Sequence, residues 1–125
     1  MKLTGLDHLV LCVRDVDRTI AFYRDLLGME PREERPGKWS LHFGMNKISL
    51  QDATAHPEIA RDTVPGTGNF CALTDEPVER LAGVLRQRGI EIVAGPDERD
   101  GAMGRIRSVY FRDPDGNLVE ISNRL

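Results

Sequence analysis

The chain has little that would tie it to a membrane, a nucleic acid or an oxidising compartment. No apolar run approaches the roughly 20 residues that cross a bilayer, so no membrane partner is expected. Neither sign of charge dominates: 17 basic residues stand against 20 acidic ones, net −3, with both signs interspersed. A nucleic-acid surface needs a basic stripe, which this pattern excludes. There are only two cysteines, Cys12 and Cys71. Nothing marks the chain as secreted, so both are read as reduced, packed thiols. Met1-Lys2-Leu3-Thr4 leads into a strand pattern with no signal-type apolar segment, and a soluble, cytoplasmic protein is expected. Aromatic residues make up 6% of the chain. Trp39, Phe43, Tyr110 and Phe111 are read as core or cavity wall rather than as stacking platforms. A length of 125 residues suits one domain, which buries about two-thirds of its unfolded surface.

What the chain does have is a repeat. Asp7 to Val13 and the amphipathic run to Gly28-Met29-Glu30 are echoed by Asn69 to Thr74 and a run to Gly89-Ile90-Glu91. Ile20 falls on Leu81, Ala21 on Ala82, Gly28 on Gly89 and Glu30 on Glu91. Two copies are too few for a solenoid, which needs about three or more stacked units. The pattern fits a duplicated half-domain closing on its twin, with function expected where the copies face each other.

Each copy reads as a βαβββ unit, hence an α+β fold. In the first, Leu6 to Val13 is an apolar strand. Asp15 or Asp17 can cap a helix carrying Val16, Ile20, Tyr23 and Leu27 on one stripe, and Gly28 stops it. Short strands follow at Pro31 to Glu34, Trp39 to Phe43 and Lys47 to Gln51, with Gly44-Met45-Asn46 as a turn. Module one therefore spans about 5–52 and a Pro- and Gly-broken linker about 53–68. Module two runs over 69–125. Its helix carries Val78, Leu81 and Leu85, tolerates Pro77 in its first turn and stops at Gly89. Strands are expected at Ile90 to Val93, Arg107 to Phe111 and Leu118 to Ser122, with Asp113-Pro114-Asp115-Gly116-Asn117 as the final turn. Gly95 to Ile106 has no equivalent in module one and is read as a long, Gly-bearing loop that gates a site.

Strand alternation places His8 with Leu6, Val10 and Cys12, away from the helix side. Glu120 alternates with Val119 and Ile121, and Gln51 with Leu50, so Gln51 and Glu120 are read as counterparts, like His8 and Asn69. These four polar side chains are expected around one cavity. An imidazole, a carboxylate and amide oxygens suit a divalent metal ion (Ni, Mn, Co, Fe or Zn) rather than a thiolate site. Such an ion polarises the oxygens of a chelating ligand. His42 and His56 are read as surface residues.

Asp7-His8-Leu9-Val10-Leu11, Ile20 to Gly28 and Val109 to Glu120, with its Arg-Asp-Pro-Asp-Gly-Asn turn, together resemble the vicinal oxygen chelate superfamily. Its members include glyoxalase I, fosfomycin-resistance transferases, extradiol dioxygenases and bleomycin-resistance proteins. The Ile106 to Phe111 segment is similar to that of small virulence-associated glyoxalase-like proteins. The resemblance implies a single domain of paired βαβββ modules, forming an open, cup-shaped eight-stranded sheet completed in a homodimer. It implies metal ligands at His8, Gln51 and Glu120. Asn69 departs from the family pattern, which places His there. That departure argues against the two-His-one-carboxylate iron site of an extradiol dioxygenase and against fosfomycin transfer.

The leading expectation is a metal-dependent, glyoxalase-like lyase or isomerase. Its small-molecule substrate would chelate the metal through vicinal oxygens, with Glu120 as ligand and catalytic base. Arg105 and Arg107 are candidate substrate-binding residues, and Arg99 is a second donor. The alternative is a metal-free protein that sequesters an antibiotic or other ligand, as bleomycin-resistance proteins do.

Overall fold

The computed structural model describes residues 1–55 and 60–125, and His56 lies outside the described residues. The chain forms two compact units, residues 1–67 and 68–125. Each is a βαβββ unit. The strands make two four-stranded sheets, one per unit, the α+β arrangement expected of paired βαβββ modules.

In the first unit the sheet order is β1 (His8–Val13), β4 (Asn46–Asp52), β3 (Lys38–Phe43), β2 (Glu30–Arg35). The β1–β4 pair is parallel and the others antiparallel. A parallel neighbour requires a crossover, supplied here by helix α1 (Val16–Leu27) and strands β2 and β3. Asp15 caps α1, its Oδ1 accepting from the Arg18 N–H at 3.0 Å. Gly28 closes it in the left-handed conformation, φ 67°, as the sequence leads one to expect. Ile20 and Tyr23 on the helix and Leu11, Val13, Leu41, Ile48 and Leu50 on the strands form the buried core.

The second unit repeats the order as β5 (Asn69–Leu73), β8 (Leu118–Arg124), β7 (Gly104–Arg112), β6 (Ile92–Gly101), with α2 at Val78–Gln87. Pro77 sits one place before α2 and offers no side-chain cap. Asn123 substitutes from β8: its Oδ1 accepts from the Val78 N–H at 2.9 Å, while its Nδ2 donates to the Thr74 and Glu76 carbonyls at 2.7 Å. One orphan donor at the helix start is thereby satisfied from outside the helix. Val78, Ala82 and Leu85 pack with Ala72, Val109, Phe111, Val119 and Ile121.

One expectation fails here. Gly95 to Ile106 is not a loop: Asp97, Glu98, Arg99 and Asp100 pair with Ser108, Arg107, Ile106 and Arg105, and Gly101 with Gly104. The segment is a hairpin turning at Ala102-Met103. Its glycines and charges hid strand alternation, because one face is solvated and the pairing compensates for poor intrinsic β-propensity. A paired hairpin is no hinged lid, so the gating role falls with the loop.

Candidate functional site

In the second unit the α2-facing side of the sheet is apolar and the opposite side is polar. Alternation in β7 puts Ile106, Ser108 and Tyr110 on that polar side. In β8 it puts Glu120, Ser122 and Arg124 there. The register then assembles cross-strand rows. Cys71 lies opposite Glu120 and Glu120 opposite Tyr110; Ser122 lies opposite Ser108. Cys71, Leu73, Arg99, Ile106, Tyr110, Glu120 and Arg124 line a cavity of about 530 Å³, closed at one end by the hairpin tip at Ala102 and Met103.

The polar groups of this face are linked. Ser108 Oγ and Ser122 Oγ are 2.7 Å apart, Ser122 Oγ is 3.2 Å from Cys71 Sγ, and the Ser122 hydroxyl donates to Glu120 Oε1 at 3.4 Å. Burial raises the Tyr110 hydroxyl above its ordinary pKa, and the Glu120 carboxylate raises it further, against the opposing pull of Arg99. Arg99 lies over the Tyr110 ring, 5.5 Å from its centroid. The Cys71 thiol is likewise pushed up, first by burial and then by Glu120, against the Ser122 hydrogen bond. It is therefore a protonated thiol rather than a thiolate nucleophile. Cys71 is exposed on the site face, not packed as expected, and neither cysteine forms a disulfide. A carboxylate beside a phenol that stays protonated can take a proton from one atom and hydrogen-bond the oxygen that gains charge.

The first unit gives the expected metal ligands a different layout. His8 Nδ1 lies 2.7 Å from Asp7 Oδ1. A neutral imidazole donating from Nδ1 presents Nε2 as a lone-pair donor, the arrangement metal-binding histidines favour. Gln51, however, pairs with Cys12, four residues along the ladder from His8 and its partner Lys47. At about 3.3 Å per residue the two are about 13 Å apart along the strands, so they are not neighbours. The counterpart reading is also corrected by two residues. Glu120 is opposite the residue two after Asn69, and the residue opposite Val10, two after His8, is Ser49. Gln51 is thus the equivalent of Ser122. Asn69 is exposed at the start of β5 and does not line the cavity. Among the described residues no three His, Cys, Asp or Glu side chains form a metal-binding group. The imidazole of His8 and the carboxylate of Glu120 are each donor types that a borderline divalent ion accepts.

Arg105 and Arg107 do not line the cavity either. Odd positions of β7 face the helix side, where Arg105 pairs with Asp100 at 2.7 Å and Glu98 at 3.1 Å, and Arg107 with Glu79 of α2. His42, expected at the surface, is half-buried. Its Nε2 is 2.9 Å from Ser40 Oγ, and Ser40 donates to Glu34, which Lys47 also holds. Lys47, followed by Ser40, keeps the Glu34 carboxyl below its ordinary pKa. The sequence reading passed over Cys71, Ser108, Ser122 and Arg124 as site residues. The signal was available in the even-numbered positions of the last two strands.

Paired βαβββ units, each with an apolar face under a helix and a polar face opposite, define the class. The chain belongs to the Glyoxalase/Bleomycin resistance protein/Dioxygenase superfamily, whose family model matches residues 5–121. It is 44% identical over 124 residues to Virulence protein STM3117 of Salmonella typhimurium, covering 98% of this chain and 85% of the relative. The crystal structure of that protein superposes with a TM-score of 0.95 at 41% identity over 100% of both chains. Glyoxalase domain-containing protein RDO1 of Mycosarcoma maydis is 38% identical, over 98% of this chain and 70% of the relative. Lactoylglutathione lyase from Agrobacterium tumefaciens has a TM-score of 0.73 at 27% identity, covering 98% of this chain and 96% of that one.

Proposed function

We propose that the chain is a glyoxalase-like lyase or isomerase that moves a proton on a small, oxygen-rich substrate. The observation that carries this reading is Glu120 on the cavity wall beside the protonated Tyr110 hydroxyl. Glu120 takes the proton from the hydroxyl-bearing carbon next to a carbonyl and returns it to the former carbonyl carbon, while the proton of that hydroxyl passes to the former carbonyl oxygen. Tyr110 hydrogen-bonds the oxygen on which charge develops. Ser122 orients the Glu120 carboxylate through its hydroxyl. A divalent metal is the cofactor this reading calls for; Glu120 would supply a carboxylate donor to it, and when bound it would polarise the substrate's oxygens. Similarity to a lactoylglutathione lyase supports the class of reaction.

The test uses hemithioacetals of methylglyoxal with several thiols, each with Ni²⁺, Mn²⁺ or Zn²⁺, reading product and solvent-deuterium incorporation. Glu120→Gln should lower the rate by about 10²–10⁴-fold, the range for losing a general base. Metal content after purification without a histidine tag should fall in Glu120→Gln. A folded Glu120→Gln protein with undiminished turnover would remove Glu120 from the mechanism.

A further inference from the structure

Proton transfer leaves two guanidinium groups in the same cavity without a task. Arg99 of β6 and Arg124 of β8 flank Ile106 of β7 in one cross-strand row, and all three line the cavity. Ser108 and Ser122 form the next row, and Tyr110 with Glu120 the row beyond. The face thus runs from Arg124 at one end to Glu120 at the other, with hydroxyls between and the Arg99 guanidinium reaching from its row over the Tyr110 ring.

The charge of the two guanidinium groups is incompletely balanced. Arg124 has no ion pair or side-chain hydrogen bond among the described residues. Arg99 donates from one terminal nitrogen to Asp97 Oδ2 at 3.1 Å, and a guanidinium has five N–H donors. Asp100 also borders the cavity, but its carboxylate is engaged by Arg105 at 2.7 Å. Around the two cations the wall is Leu73, Ala102, Met103 and Ile106. Two like charges beside an apolar wall repel each other until an anion lies between them. A guanidinium and an anion form charge-assisted hydrogen bonds, stronger than neutral ones.

We propose that Arg99 and Arg124 form an anion-recognition pair, and that the ligand of this cavity carries a carboxylate or phosphoryl group on a short apolar body. The anion sits at the Arg99–Arg124 end, and the apolar body lies against Leu73, Met103 and Ile106. The four-residue step from Ile106 to Tyr110 is about 13 Å of strand, shortened by Arg99 leaning over the Tyr110 ring. A body of a few carbon atoms spans what remains. That the reacting end points to Glu120 rests on the proton-transfer reading; the anion pair itself does not.

The experiment is an NMR titration of the ¹⁵N-labelled chain with benzoate, phenyl phosphate and the neutral benzamide, following the amides of Ile106, Tyr110 and Arg124. At least one anion should bind with about millimolar affinity, about tenfold or more tighter than benzamide. The preferred arm tells carboxylate from phosphoryl. Arg124→Gln and Arg99→Gln, with folding checked by their amide spectra, should each weaken the anion about tenfold and leave benzamide unchanged. Arg80→Gln, on the exposed side of α2, controls for net charge. Equal affinity for anion and benzamide, no binding of either anion by about 10 mM, or unchanged binding in both variants overturns the proposal. Turnover plays no part in this readout, so loss of the catalytic reading leaves the result standing.

Discussion

Replacing Asn117 by alanine should cost more than its place in a surface turn suggests. Asn117 is 1% exposed. Its Nδ2 donates to Asp113 Oδ2 at 2.8 Å, and its Oδ1 accepts from the Gly68 N–H at 2.7 Å. The first bond closes the Asp-Pro-Asp-Gly-Asn turn; the second ties the start of β5 to the start of β8. Truncation leaves the Gly68 N–H unpaired, at about 1–3 kcal/mol, and removes the bond to Asp113 Oδ2, at about 1 kcal/mol. Asp113 Oδ1 keeps its bonds from the Asp115 and Asn117 N–H groups, and freeing the asparagine side chain returns under about 1 kcal/mol. The net loss is about 1–3 kcal/mol, a sizeable share of the stability of a chain this size. Urea unfolding should show a lower midpoint with an unchanged slope. Because this tie begins the parallel register that sets Cys71 opposite Glu120, amide exchange at Phe70 and Cys71 should also accelerate. A loss below about 1 kcal/mol, with unchanged exchange there, would refute the assignment of Asn117 as the fastener.

Two further outcomes follow from the same unit. Gly95 has φ 84°, and a Cβ there would overlap the Ser108 carbonyl, so Gly95→Ala should lose more than about 2 kcal/mol in urea unfolding, combining backbone strain with the overlap. A loss within the noise would mean that the hairpin shifts freely. Stability should also fall in alkali. Tyr110 and Cys71 have folded-state pKa values above their ordinary 10.0 and 9.0. The unfolded chain therefore releases these protons first, and the contribution is fully present below about pH 9 and is lost as pH rises through the raised values. The urea midpoint should drop between about pH 8.5 and 10.5, and less steeply in Tyr110→Phe. A flat wild-type profile would refute the sign.

Local chemistry was enough to specify the elements and the duplication. Asp15 and Gly28 bound α1 because a carboxylate can cap N–H groups and glycine tolerates positive φ. The alternation Val119, Glu120, Ile121 marked Glu120 as turned away from the core, and Asp113 to Asn117 marked the turn before it. The apolar stripes of both helices foretold which sheet faces they cover. Pairing was another matter. A parallel neighbour is set by the whole crossover, not by the strand's own residues, so sequence spacing matched Gln51 to Glu120 where the ladder matches Ser49. Likewise, Gly101, Gly104 and the charges between Asp97 and Arg107 favour a loop by propensity alone. Ladder hydrogen bonds between β6 and β7 outweigh that preference, and the resulting alternation turns Arg105 and Arg107 to the helix side and Arg99 into the cavity. Sequence names the groups that can do chemistry; register, a non-local property, decides which of them meet.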